Sequence, residues 1–268
     1  MIRAIVTGAA GRMGSSIIQA IKEQDDIALV GAIEREGHPL LGYDAGGVVG
    51  LGSTGVKIGS KIDELLDNAD VVIDFTNPKS TMSDLDKVYA KGKSIVIGTT
   101  GFSKEGKDRI REFATKIPCV FSPNMSVGVN IIFKIIQDVA KVLGDEYDIE
   151  IVEAHHRLKK DAPSGTAMRM AQVIADTLGR DLSEVGRFSR HGMIGERTSK
   201  EIGIQSLRAG DIIGDHTVLF GGMGERIEIT HRAHSRDNFA RGAVRAAKWI
   251  VHQKPGLYDM MDVLGLRV

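Results

Sequence analysis

One cysteine, Cys119, is all that this chain of 268 residues contains, so an intramolecular disulfide is excluded. The apolar run around it predicts a buried structural thiol and fits a reducing compartment. Aromatic residues make up only 5% of the chain, which speaks against a stacking platform for single-stranded nucleic acid. A surplus of one charge is missing too. Lys plus Arg and Asp plus Glu are both 35, so nothing draws the whole protein to nucleic acid or an anionic membrane, and any anion site must be local. No apolar run approaches the roughly 20 residues that span a bilayer. The chain opens straight into Ile2 to Val6 with no signal-peptide layout, and a soluble cytoplasmic protein is the expectation. Glycine, by contrast, is abundant at 32 residues and predicts many tight turns.

The length suits two ordinary domains. In the first half, short apolar runs at Ile2 to Thr7, Ala28 to Ile33, Val71 to Phe75, Ser94 to Gly98 and Cys119 to Phe121 read as buried strands. Helical patterns lie between several of them, at Met13 to Ile21, Ser80 to Lys91 and Lys104 to Lys116. Strand and helix in alternation predict an α/β fold with a Rossmann-like, doubly wound parallel sheet. After Asn124 the texture changes. A helix is expected over Val127 to Leu143, then a half-buried strand over Tyr147 to Ala154, a helix capped by Ser164, and strands around Ile202 to Leu207, Thr217 to Phe220 and Arg226 to His231. Strands without intervening helices predict an α+β domain with a mixed or mostly antiparallel sheet. A helical pattern returns from Asp237 to His252.

The loop Gly8, Ala9, Ala10, Gly11, Arg12, Met13, Gly14 follows the first strand and opens the first helix. Ala10 stands where the common dinucleotide fingerprint has its second glycine. The chemistry needs a tight turn, backbone NH groups that can approach a pyrophosphate, and a helix N-terminus whose dipole favours negative charge. Glu34 ends the second strand, where an acid can accept from the ribose hydroxyls, while Arg35 beside it can pair with a 2′-phosphate. Together they predict a nicotinamide dinucleotide, NADH or NADPH. Two further loops, Gly98-Thr99-Thr100-Gly101 and Ser122-Pro123-Asn124-Met125, fall at the carboxyl ends of later strands, where an open parallel sheet places its ligand. Both also suit ordinary strand-to-helix turns.

Residues 153 to 167 put His155, His156, Arg157, Lys159 and Lys160 next to a Ser164-Gly165-Thr166 turn, directly after an apolar strand. Such a segment reads as a site for a small anionic substrate or as a charged surface loop. If the strand runs through both histidines they face opposite ways and do different work. Imidazole, with an ordinary pKa of about 6.5, can exchange a proton near neutral pH. Ser164, Gly165 and Thr166 at a helix start offer backbone NH groups and a hydroxyl to a carboxylate, although a plain N-cap would account for Ser164 equally well. No metal site is expected, because adjacent histidines on a strand diverge and no i, i+4 pair with a carboxylate completes one.

On these motifs, together with Asp74-Phe75-Thr76, the chain resembles 4-hydroxy-tetrahydrodipicolinate reductases, also called dihydrodipicolinate reductases, of lysine and diaminopimelate biosynthesis. The resemblance implies a dinucleotide domain at 1–126 and 236–268, and a substrate and tetramerisation domain at 127–235. It implies that His155 and Lys159 carry the proton chemistry, and that His156, Ser164, Gly165 and Thr166 bind a small cyclic dicarboxylate. Gly8, Ala9, Ala10, Gly11, Arg12, Met13, Glu34, Arg35, Gly98, Thr99, Thr100, Ser122, Pro123, Asn124 and Met125 would then hold NADH or NADPH, in a homotetramer. The sequence leaves open which of His155 and Lys159 delivers the proton.

Overall fold

The structure, a computed structural model, describes residues 1–267. Two compact units emerge, one made of Met1–Val127 with the chain from Asp237 onward, the other of Gly128–Arg236.

The first unit begins β1 (Ile2–Thr7), α1 (Arg12–Lys22), β2 (Ile27–Ile33), α2 (Ala45–Val48), β3 (Ile58–Gly59), β4 (Val71–Asp74), α3 (Pro78–Ala90), β5 (Ser94–Ile97), α4 (Lys104–Ala114) and β6 (Pro118–Phe121). Among the described residues these strands form a sheet of seven, ordered β12-β6-β5-β4-β1-β2-β3 and parallel throughout, where β12 (Gly256–Tyr258) joins the edge late in the chain. The strand order reverses between β1 and β4, and the carboxyl ends at such a switch point are where a doubly wound sheet receives its ligand. Val6, Ile73, Val96 and Val120 on one face pack with Ile17, Ile18 and Ile21 of α1, while Ile5, Val72, Ile95 and Ile97 on the other pack with Leu85 of α3 and Ile110 of α4. Burial on both faces is why these strands read as continuous apolar runs. Cys119 sits inside the second of these clusters, and burial pushes its thiol up to about 12, an inert structural group.

The second unit contains most of α5 (Val127–Leu143), then β7 (Asp148–His155), α6 (Gly165–Thr177), α7 (Leu182–Val185), β8 (Gly186–Arg187), β9 (Ile202–Arg208), β10 (Gly214–Gly221) and β11 (Arg226–Ala233). Its sheet, ordered β11-β10-β7-β9-β8, is mixed: β10 runs antiparallel to β7 and β11, while β7, β9 and β8 are mutually parallel. Ile149 and Ile151, Ile202 and Ile204, and Val218 and Phe220 line one face and bury against Met170, Ala171 and Ile174 of α6. The later helices α8 (Asp237–Ile250) and α9 (Met260–Val263) belong to the first unit, where Ala240, Ala243, Val244 and Ala247 of α8 join the cluster around α1.

The two-residue β3 and the edge strand β12 were not read from the sequence. Both are too short to carry a periodicity and exist only because a neighbouring strand supplies their hydrogen-bond partners. The pattern over residues 237–252 ends as a helix at Ile250, and the chain beyond it contributes β12 and the single turn α9.

Candidate active site

At the end of β1, Gly8 holds φ at +64°, which only glycine adopts without strain, and turns the chain into the loop. A Cβ on Gly14 would lie 2.1 Å from the Gly8 carbonyl oxygen, so glycine is required where α1 packs against the loop. Asn77, Ser103 and Ser164 cap α3, α4 and α6 with their side chains, but α1 starts at Gly11 with no side-chain cap. The positive end of α1 is thus left to an external acceptor, and this loop fits a pyrophosphate. Arg12 and Arg35 are exposed, whereas Ala9 is buried and Ala10 and Met13 are partly buried. Glu34 is half-buried and accepts from the Ala10 amide at 3.0 Å and from the Arg35 amide at 3.2 Å. Each carboxylate oxygen can accept a further hydrogen bond, so the loop contact places Glu34 without using it up.

Gly98 to Gly101 and Ser122 to Met125 lie at the ends of the neighbouring strands β5 and β6. Gly98 must be glycine because a Cβ there would run into the Phe75 ring at 2.1 Å. Thr99 is buried, donating to Asp74 at 2.8 Å and accepting from the Thr76 amide at 2.9 Å, while Thr100 is exposed. Ser122 donates to the Asn124 carbonyl at 2.9 Å, Asn124 receives the Ser126 amide at 2.9 Å, Pro123 is exposed and Met125 is buried. The Gly8, Gly98 and Ser122 loops thus follow three strands of one parallel sheet on its carboxyl edge.

The second unit gathers its polar residues by continuing its core rows. Along β7 the buried positions are Ile149, Ile151, Glu153 and His155. Along β10 they are Phe220, Val218, His216 and Gly214, read toward the same end. Pairing sets His216 opposite Glu153 and Arg208 opposite His155. The face that is apolar at one end of the sheet is therefore ionisable at the other, beside the N-terminus of α6.

Glu153 is fully buried. Arg208 holds it with both terminal nitrogens at 2.8 Å, the Ser164 amide donates to Oε1 at 3.1 Å, and His155 Nδ1 lies 2.6 Å from Oε2. Burial alone would push this carboxyl up, but hydrogen bonds from Arg208, His155 and Ser206 outweigh it and hold it at about 2. His155 is lowered from its ordinary value, chiefly by burial, with Lys159 and Arg208 adding to that and Glu153 opposing it. His216 stacks edge-on to His155 with centroids 5.1 Å apart and is lowered to about 4 by burial and then by His155. Its Nε2 lies 2.9 Å from Ser164 Oγ, which also accepts the Ala167 amide at 3.1 Å. Lys159 Nζ is paired with Asp161 at 2.8 Å.

The two adjacent histidines differ for a reason other than strand alternation. β7 ends at His155, and His156 sits half-buried in the turn that follows. Ser164, expected as part of a carboxylate receptor, has its amide engaged by Glu153 and its hydroxyl by His216 and Ala167. Gly165 is exposed and faces open space, and Thr166 is half-buried in the same first turn. Glu153 was legible as sharing a strand face with His155, two residues on. Arg208 and His216 carried no sequence signal, since only strand register brings them to Glu153.

A doubly wound sheet with an uncapped glycine loop, joined in one chain to a mixed-sheet unit with a buried carboxylate–imidazole pair, defines a pyridine-nucleotide oxidoreductase. Residues 2–125 match the family model for the N-terminus of dihydrodipicolinate reductase, and residues 128–264 match the one for its C-terminus. The chain belongs to the dihydrodipicolinate reductase family. It is 57% identical to the 4-hydroxy-tetrahydrodipicolinate reductase of Syntrophus aciditrophicus and 58% identical to that of Geotalea uraniireducens, in each case over 100% of both chains. The dipicolinate-bound dihydrodipicolinate reductase from Paenisporosarcina sp. TG-14 has a similar structure, with a TM-score of 0.77 at 25% identity over 98% of each chain.

Proposed function

We propose a division of labour in which the first unit holds NADH or NADPH and the second binds the ring and supplies its proton. The reaction is the reduction of 4-hydroxy-tetrahydrodipicolinate to tetrahydrodipicolinate with loss of water, in lysine and diaminopimelate biosynthesis. The observation that carries the site assignment is the buried Glu153–His155 pair with the cation Lys159 and the start of α6 around it.

Gly8 to Met13 cradle the pyrophosphate, and the 98–100 and 122–125 loops flank the nicotinamide. Glu34 takes the ribose diol of NADH and Arg35 the 2′-phosphate of NADPH, so both cofactors are accepted. When bound, the reduced nicotinamide supplies a hydride. His156, Gly165 and Thr166 receive the carboxylates of the substrate, and Ser164 anchors their turn. Lys159 delivers the proton to the ring carbon. His155, whose proton affinity is lowered chiefly by burial, offers Nε2 to align the reacting ring and hydrogen-bond the donor. We further propose that the chain works in the cytoplasm as a homotetramer built through the mixed sheet, whose Val152, Leu207 and Ile227 are exposed.

The test is nicotinamide oxidation with enzymatically generated 4-hydroxy-tetrahydrodipicolinate, for the wild type and for Lys159→Ala and His155→Gln. Rapid oxidation by the wild type and its loss in both variants is expected. Full turnover by the lysine variant would remove Lys159 from the proton step, and the ratio of NADH to NADPH rates reads the Glu34-Arg35 choice.

A further inference from the structure

We propose that Glu153, clamped by Arg208, is the positioning residue that fixes His155 with its proton on Nδ1, making Nε2 the working nitrogen, and that Gly214 keeps the space beside Nε2 clear. This rests on the role given to His155 above and adds the groups that set it.

The tautomer follows from Glu153. An ionised carboxylate only accepts, so the nitrogen 2.6 Å from Oε2 must carry the proton. Glu153 stays ionised at any working pH because Arg208 reaches both of its oxygens and the Ser164 amide adds a third donor. Two constraints then fix the ring, the bond to Glu153 on its own strand and the edge of His216 on the neighbouring strand, with centroids 5.1 Å apart. Nε2 faces Gly214, where a Cβ would lie 3.1 Å from it. That is tighter than an ordinary contact, and Gly214 does not have the positive φ that would require glycine for backbone reasons. A glycine kept for space beside one nitrogen of a buried histidine marks that nitrogen as the one in use.

The charged and titratable groups around His155 come from every strand and turn packed on it: Glu153 on β7, Arg208 on β9, His216 on β10, and Lys159, itself paired to Asp161, in the turn. Glu153 favours the imidazolium, while Arg208 and Lys159 disfavour it. The two members of the clamp therefore pull the titration of His155 in opposite directions. Removing the anion lowers the pH at which His155 takes a proton, and removing the arginine raises it.

The experiment is nitrogen NMR of imidazole-labelled full-length protein, with kcat against pH, for Glu153→Gln, Arg208→Gln and Gly214→Ala. The expected results are a wild-type His155 protonated at Nδ1, with its titration and the acidic limb of kcat moved to lower pH in E153Q and to higher pH in R208Q. G214A keeps the Nδ1 proton and the thermal midpoint but loses up to about 100-fold in kcat, the scale expected when a reacting group is misplaced by a fraction of an ångström to an ångström. A wild-type ring protonated on Nε2, or titrations that move the same way in E153Q and R208Q, would overturn the proposal. The NMR readout needs no turnover, so it separates this clamp from the role of His155 in catalysis. A shifted tautomer with unchanged kcat would refute that role and with it the catalytic part of this inference.

Discussion

Asp74 and Glu153 are both carboxylates without solvent exposure near the carboxyl end of a strand, yet the two units satisfy them in opposite ways. Asp74 is held by four hydroxyls, Thr7 at 2.8 Å, Thr76 at 3.0 Å, Thr81 at 2.7 Å and Thr99 at 2.8 Å, and by the Thr76 amide at 3.2 Å, with no charged donor among these. These come from β1, the loop after β4, α3 and the loop after β5, so the cluster ties together the carboxyl edge where the Gly8 and Gly98 loops start. Glu153 is held by a guanidinium, an imidazole and an amide. Neutral hydroxyls that rotate make a structural clamp, whereas charged donors couple the carboxylate to the proton affinity of its neighbours. In the proposed division of labour the first unit presents backbone to its ligand and the second presents titratable side chains.

That contrast can be broken or sharpened, and the largest effect belongs to the second unit. Lys159→Ala should lower kcat by about 100-fold to 10,000-fold, the usual range for a lost proton donor, while His156→Ala should mainly raise KM; steady-state kinetics separate the two. In the first unit Gly14→Ala drives a Cβ into the Gly8 carbonyl and should weaken NADH binding by about 100-fold or more, read by fluorescence titration. An unchanged affinity would mean the loop does not hold the pyrophosphate.

Stability measurements compare the carboxylates directly. Glu153→Gln leaves Arg208 without its anion and should cost about 2–3 kcal/mol at neutral pH, less than a fully buried pair because Arg208 keeps some solvent contact. Asp74→Asn should cost only about 1 kcal/mol, since threonine hydroxyls can turn to accept from the amide. Urea unfolding of both variants tests the order, and equal losses would remove the distinction. Glu153 has a folded pKa of about 2, below its ordinary value of 4.5, so its contribution is fully present above pH about 4.5 and is lost as pH falls toward 2. The E153Q protein should lack that part of the acid transition.

One expected effect is a gain. Asp84 is pushed up to about 6 by burial and then by Asp74. A carboxyl raised in the folded state costs nothing below pH about 4 and destabilises progressively as pH rises through 6. Asp84→Asn should therefore stabilise the protein by about 1–2 kcal/mol at pH about 8, discounted for its partial exposure, and leave it nearly unchanged at pH about 4. Thermal melts at the two pH values check the sign.

What the sequence determined by itself was what rests on local spacing. Apolar runs gave β1, β2, β4, β5 and β6, because strands buried on both faces need no polar alternation. The turn from Gly8 to Gly14 was legible because one residue type meets its backbone demands, and the Ser164 cap because capping is a contact three residues long. The segment from Glu153 to Thr166 was legible as chemistry because its residues are neighbours in the chain. The short strands β3 and β12 were decided by their pairing partners. The environment of His155 was decided by register: a parallel ladder brings Arg208 to it from 53 positions along the chain, and an antiparallel one brings His216 and Gly214 from further on. Strand pairing carries no record in either strand alone, so the Glu153 beside His155 could be read from β7 itself, whereas the guanidinium on that carboxylate and the groups against the ring were decided only by the closed sheet.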